Sequence, residues 1–368
     1  MIGTLVLTLL LQAPNPKEEP LALYVIEAPG GLGTKDAQSI IRLSFDRENK
    51  LANEIILTKK SALVFESGGH QIVAGRFMVI RGGCIVDLKS RKVLNEESEG
   101  HVLGVEDGKV VYRVDHESRT KELFAFDVRT HELHTITAGT HWDLPGEKSP
   151  DKSMSVSSHE DGDIRLHQLG QATRIIAEKC SSELLPGRAR MDPNWLPCLW
   201  LDGKRILTIQ SNQKLVTLTI DGVMDNLVKI EEMPKTLCFP PGLWRDEKGR
   251  VIYSGYHPER HWKHFLIELG AKTASPLSKL PLGHGFEASV SEDKKRRREV
   301  YHNGKVVGQW VFDEFGTCTA PGLIAFEYAE VKDGKSVGET DGVAVWSERL
   351  RDWRTIKMRV GSVVGWAK

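Results

Sequence analysis

Neither sign of charge dominates this 368-residue sequence: lysine plus arginine number 50, and so do aspartate plus glutamate. A chain without a net field has no electrostatic footprint for nucleic acid or an anionic bilayer surface, so neither is an expected partner. Long apolar runs are missing too, and a helix needs about 20 apolar residues to cross a membrane, so the chain is not expected to span one. Cysteines are few and ill-spaced for a metal. Cys84, Cys180, Cys198, Cys238 and Cys318 are odd in number and form no C-x-x-C pair, which excludes a zinc knuckle. Strand-like neighbours make them small apolar residues of a sheet, with one disulfide, Cys180 to Cys198, left open for an oxidising compartment. Finally, no window of a dozen residues sustains a helical period.

What is present is a succession of short alternating runs. Residues 110–114, 122–128 and 133–136 are three β-rich runs broken by polar turns, the pattern of a meander, and similar trios recur along the chain. Before them, residues 5–11 form a short apolar run ending at Gln12 and Ala13, followed by the proline-rich stretch 14–20. That arrangement reads as an export signal and spacer, although no lysine or arginine precedes the run and Pro14 follows the cleavage residue. The expected organisation is a signal and spacer over 1–20 and one all-β domain over 21–368. The expected location is secreted or periplasmic.

Repeats carry the fold reading. The segment that begins Pro197-Cys198-Leu199-Trp200-Leu201-Asp202-Gly203-Lys204 returns 44 residues later as Pro241-Gly242-Leu243-Trp244-Arg245-Asp246-Glu247-Lys248. Asp107, Asp151, Asp202, Asp246 and Asp293 occupy related turns 44, 51, 44 and 47 residues apart, while Asp46, Asp87 and Asp127 end apolar strands at separations of 41 and 40. Periods in the low to middle forties belong to four-stranded propeller blades. Ser149-Pro150-Asp151-Lys152 with Asp161-Gly162-Asp163-Ile164-Arg165-Leu166, and then Asp202-Gly203-Lys204-Arg205-Ile206, resemble the PD40 or TolB-like (WD40-like) propeller repeat over residues 100–300. The resemblance implies that the aspartate and glycine make the tight turn between the first two strands of a blade and carry fold, not activity.

The predicted fold is therefore an all-β propeller of four-stranded blades. Eight are counted, with residues 283–315 making a thin one and seven remaining the alternative. Strands near residues 23–27, 40–45 and 54–58 leave a first blade one strand short, and the tail 360–366 is expected to supply it and close the ring.

Several constellations could carry chemistry. His257, His261 and His264 place three imidazoles within eight residues, a candidate metal set on a hairpin connection. His131 and His134 are read onto one strand with odd separation, hence onto opposite faces. Gly334 to Gly338 matches G-x-S-x-G formally but lacks the following helix that a nucleophile elbow requires. The glycines of 29–33 open no helix and read as a loop. The basic run 294–298 has acidic neighbours and no interleaved aromatics, so it reads as a solvated turn. Trp200 and Trp244, at equivalent repeat positions, argue for packing between blades.

Long, non-repeating connections at 141–148 and 180–195 are where a propeller places function. They make His141, Trp142, Arg188, Arg190 and Trp195 the binding candidates. No cofactor is expected. No carboxylate pair, triad or metal cluster repeats, so the expected function is a monomeric binding or scaffold propeller recognising a protein, peptide or glycan through one mouth. The alternative is a hydrolase or lyase with catalytic groups drawn from separate blades.

Overall fold

The computed structural model describes residues 21–28, 37–46, 48–60, 71–80, 84–95, 100–115, 121–137, 139–159, 162–178, 180, 197–210, 214–229, 242–257, 261–290, 297–329, 331–332, 335–336 and 341–367. Their strands form six four-stranded antiparallel sheets, one seven-stranded sheet and a two-stranded hairpin. The seven-stranded sheet is two blades sharing the 16-residue strand Lys305–Ala320, whose first half pairs backward with Arg297–His302 and whose second half pairs forward with Leu323–Tyr328. Eight blades result, numbered here I to VIII.

Blade I joins Ala22–Glu27, Ala37–Phe45 and Leu51–Lys60 to the C-terminal strand Val360–Ala367, which pairs antiparallel with Ala22–Glu27. Blades II to VI begin at Gln71–Val73, Gly100–Glu106, Glu147–Lys148, Leu199–Trp200 and Gly242–Arg245. Blade VII begins at Lys279–Gly283, and blade VIII ends at Asp352–Lys357. The 44-residue repeat is thus the first two strands and intervening turn of blades V and VI. The small hairpin of Val331–Lys332 and Lys335–Ser336 holds Ser336 in a strand, and the next described element is the strand Gly342–Ser347.

Antiparallel succession sends alternate connections to opposite mouths of the ring. At one mouth the turns are two to five residues long. Asp202 Oδ1 accepts the backbone N–H of Lys204 and of Arg205, and Asp246 Oδ1 those of Lys248 and Arg250. Asp46, Asp87 and Asp127 do the same between third and fourth strands. A short carboxylate accepting N–H groups two to four residues on closes such a turn locally, which is why the aspartate period is legible in sequence. Among the described residues, all ten non-glycine residues with positive φ lie in these turns.

One sequence reading falls outside the structure and one shifts. Asp293 lies outside the described residues; the turn of blade VII equivalent to that of Asp246 is His284–Gly285, which comes early because only Leu277 and Ser278 separate the strand Thr273–Pro276 from Lys279–Gly283. His131 is not on a strand: it is a turn residue with φ of 62°, its ring set against Phe77 and Phe126.

Side chains alternate across each strand, so each blade presents one face to its predecessor and one to its successor. Apolar clusters bind I to II (Ile40 and Met78), II to III (Val79 and Tyr112), IV to V to VI (Val156, Ile206 and Phe265), VII to VIII (Phe286 and Phe326) and VIII to I (Val345 and Leu23). Among the described residues no such cluster joins III to IV or VI to VII. The ring consists of two apolar blocks, IV–V–VI and VII–VIII–I–II–III, meeting at two polar seams.

Candidate functional site

Both seams gather polar side chains. At the III–IV seam blade IV turns Ser155, Ser157 and His167 toward its predecessor, and Ser155 Oγ donates to Pro145 O of the incoming connection at 2.6 Å. That connection makes a short 3-10 turn at His141–Asp143, where Asp143 Oδ2 accepts the N–H groups of Gly139 and Thr140. The turn sets His141 Nε2 at 3.1 Å from Glu106 Oε2, while the Lys152 ammonium bonds the other Glu106 oxygen. Lys152, with its hydrogen bond, is the main reason the Glu106 carboxyl lies below its ordinary value. Trp142 lies close against Gly104, where a Cβ would meet the indole at 3.0 Å. The Lys148 ammonium sits 5.4 Å from the Trp142 ring centroid. Burial lowers the Lys148 pKa and raises that of its neighbour Glu147.

The structure therefore brings His141 and Trp142 together and adds Lys152, which the sequence marks only as a turn residue of the repeat, and Glu106, which no sequence motif marks. Arg188, Arg190 and Trp195 lie outside the described residues. Of the three clustered histidines, His257 and His261 are register partners closing a hairpin, as expected of a connection. Position 264, three residues beyond 261 on the same strand, belongs to the other sheet face. His264 is buried with Nδ1 2.8 Å from Ser254 Oγ, which accepts the Trp244 indole N–H at 3.3 Å. Burial first, then Arg298, lowers the His264 pKa to about 4, so the ring is neutral. Among the described residues, no group of three His, Cys, Asp or Glu is placed to hold a metal ion.

Two serine–histidine pairs mark the seams, Ser157 with His167 in blade IV and Ser254 with His264 in blade VI, each at 2.8 Å. Neither has a nucleophile's surroundings. The second ring nitrogen of His167 meets the Thr173 hydroxyl instead of a carboxylate, and Ser254 is buried away from any substrate. Cys84, Cys180, Cys198 and Cys318 are free thiols, so the described residues contain no Cys180–Cys198 disulfide. Trp200 does pack between blades, its indole N–H donating to Glu147 O of blade IV at 2.9 Å. Arg298, at the end of the basic run, is buried beside Phe312, not in solvent.

The VI–VII seam opens at the tight-turn mouth into a cleft of about 400 Å³. Glu247 Oε2 accepts the backbone N–H of His284 at 2.8 Å, and His284 Nδ1 lies 3.1 Å from Thr319 Oγ1 of blade VIII. Glu247 Oε1 is 3.8 Å from the same Nδ1. Carboxylate and hydroxyl share one ring nitrogen, so this trio cannot relay a proton through the imidazole. One signal for it exists in the sequence: Glu247 stands where the preceding repeat has Gly203.

No family model matches the chain, and no curated protein matches it. Solved structures similar to it include apo AztD from Citrobacter koseri (12% identity, 94% of this chain and 97% of that one, TM-score 0.46). BamB from Moraxella catarrhalis is similar at 12% identity over 84% and 97% of the two chains, TM-score 0.41. TolB from Acinetobacter baumannii is similar at 12% identity over 81% and 80%, TM-score 0.33. By its own strand order and aspartate turns, the chain is an eight-bladed β-propeller.

Proposed function

We propose that this propeller is a binding or scaffold protein that recognises a protein, peptide or glycan outside the cytoplasm, through the mouth opposite the tight turns. The observation that carries the reading is the asymmetry of the two mouths. Connections at one are two to five residues long, whereas at the other they reach 21 residues, over 178–198. Lengthening only one set of loops on a rigid ring adds contact surface there without disturbing the blades. Residues 178–198 include Arg188 and Arg190, side chains suited to charge-assisted contacts. The export reading of residues 1–13 supplies the compartment.

Peptide and glycan arrays probed with labelled protein test this. Binding is expected to vanish when residues 182–195 are replaced by a glycine–serine linker and to survive Asp202→Ala at the opposite mouth. Binding retained by the linker variant would overturn the assignment.

A further inference from the structure

We infer that the cleft at the VI–VII seam is a second binding site, for a small zwitterion of amino-acid or dipeptide size. It lies at the mouth opposite the one proposed above and does not depend on that reading. Its volume, about 400 Å³, falls within the range of small-molecule sites. Three blades contribute to it: Glu247 from VI, Gly283, Gly285 and Glu287 from VII, and Thr319 from VIII.

The two walls differ in charge. On the blade VI wall, Asp246 is paired with Arg250 at 2.6 Å, which leaves Lys248 as the positive group of the cleft. The Arg245 guanidinium is turned the other way, onto Leu201 O of blade V at 3.4 Å. The Glu247 carboxylate reaches across to the blade VII turn, where Glu287 adds a second negative group. Thr319 spends its one hydroxyl hydrogen on Leu282 O at 3.1 Å, so its oxygen accepts from His284 Nδ1–H.

The turn between the walls is bare backbone. A Cβ at Gly283, where φ is 102°, would meet Thr319 Oγ1 at 2.9 Å and Glu247 Oε1 at 3.0 Å. At Gly285, where φ is 78°, it would meet Asn303 Oδ1 at 2.6 Å. The Lys248 ammonium on one side and the Glu247 and Glu287 carboxylates on the other disfavour a simple ion of either sign. They add for a molecule carrying an ammonium at one end and a carboxylate at the other.

The test is titration of the full chain with glycylglycine, and separately with glycinamide and N-acetylglycine, which keep only the cationic or only the anionic end. Binding is followed by the amide shifts of Gly283 and Gly285. Saturable binding of glycylglycine, at least about tenfold tighter than either analogue, is expected. Glu247→Gln keeps an acceptor for His284 N–H, so the turn is retained. It should weaken glycylglycine by about tenfold while leaving N-acetylglycine unchanged. Lys248→Gln should spare glycinamide and weaken glycylglycine. No saturable shift up to about 10 mM, equal affinity for all three probes, or indifference to both substitutions would overturn the inference.

Discussion

The junctions between blades IV, V and VI and the junction between VI and VII use the same strand pattern for opposite ends. Between IV, V and VI, branched and aromatic side chains such as Val156, Ile164, Ile206, Leu218 and Phe265 pack face to face in one buried cluster. Across the next junction blade VI presents Trp244, Ser254 and His264, and blade VII answers with Lys279, Glu287 and Tyr301. The first kind of junction gains from removal of apolar area from water. The second gives up part of that gain and keeps hydrated, oriented groups and a cleft. Stability and recognition are thus assigned to different seams of one ring, and the seam at III–IV, with Glu106, His141 and Lys152, follows the second kind.

Four experiments would break or sharpen this contrast. The largest effect is expected from deleting Val360–Ala367, because this strand serves two apolar junctions at once: Val360, Val363 and Trp366 face blade VIII, while Val364 and Ala367 pack toward blade II. Burial of each large side chain is worth about 1.5–3 kcal/mol, against a typical net stability of about 5–15 kcal/mol. The shortened chain should aggregate or melt far below the full one in a thermal scan; an unchanged melting temperature would remove the C-terminal strand from the stabilising block.

Next, Ile206→Ala in the IV–V–VI cluster should cost about 2–5 kcal/mol in urea unfolding, since Ile206 is completely buried. A cost no greater than that of truncating a seam residue would erase the distinction between the two kinds of junction.

The seam should also respond to acid where the apolar block does not. His264 is held neutral, its pKa lowered from 6.5 to about 4, so the unfolded chain binds a proton that the folded chain refuses. The stabilisation is fully present above pH 6.5 and is lost as pH falls toward 4, on the order of 3 kcal/mol in all. His264→Gln should flatten that part of the stability–pH curve relative to the unaltered chain, with carboxylate titrations common to both. Superimposable curves would show that His264 is not the seam's acid-labile group.

The smallest effect is assigned to Asp202→Ala. It removes the acceptor for the N–H groups of Lys204 and Arg205 in an exposed turn. A loss of about 1 kcal/mol is expected, with binding at both proposed sites unchanged. A selective loss of glycylglycine binding at unaltered stability would mean that the turn series carries recognition as well as fold.

Much of the fold was legible because it is written locally. Asp202 and Asp246 announce their turns through bonds that reach only two to four residues along the chain. The alternation in 110–114 sorts Val110 and Tyr112 to one face and Val111 to the other without reference to any other blade. The unfilled position in blade I was legible by counting, and Val360–Ala367 occupies it. The first turn of blade VII departs from the period because only Leu277 and Ser278 connect that blade to blade VI, a spacing set by how the two blades meet.

The candidate sites were less legible. His141 and Trp142 stand out only as members of a long connection, Lys152 and Glu247 only as turn residues of the repeat, and Glu106, His284 and Thr319 are unremarkable in their own segments. By itself the sequence determined the period, the strand faces and the turn chemistry, all set by interactions within a few residues. Only the tertiary structure decided which faces meet. A seam is apolar or polar according to which faces of two neighbouring blades meet, and a cleft is lined by residues up to 75 apart, from Trp244 to Thr319.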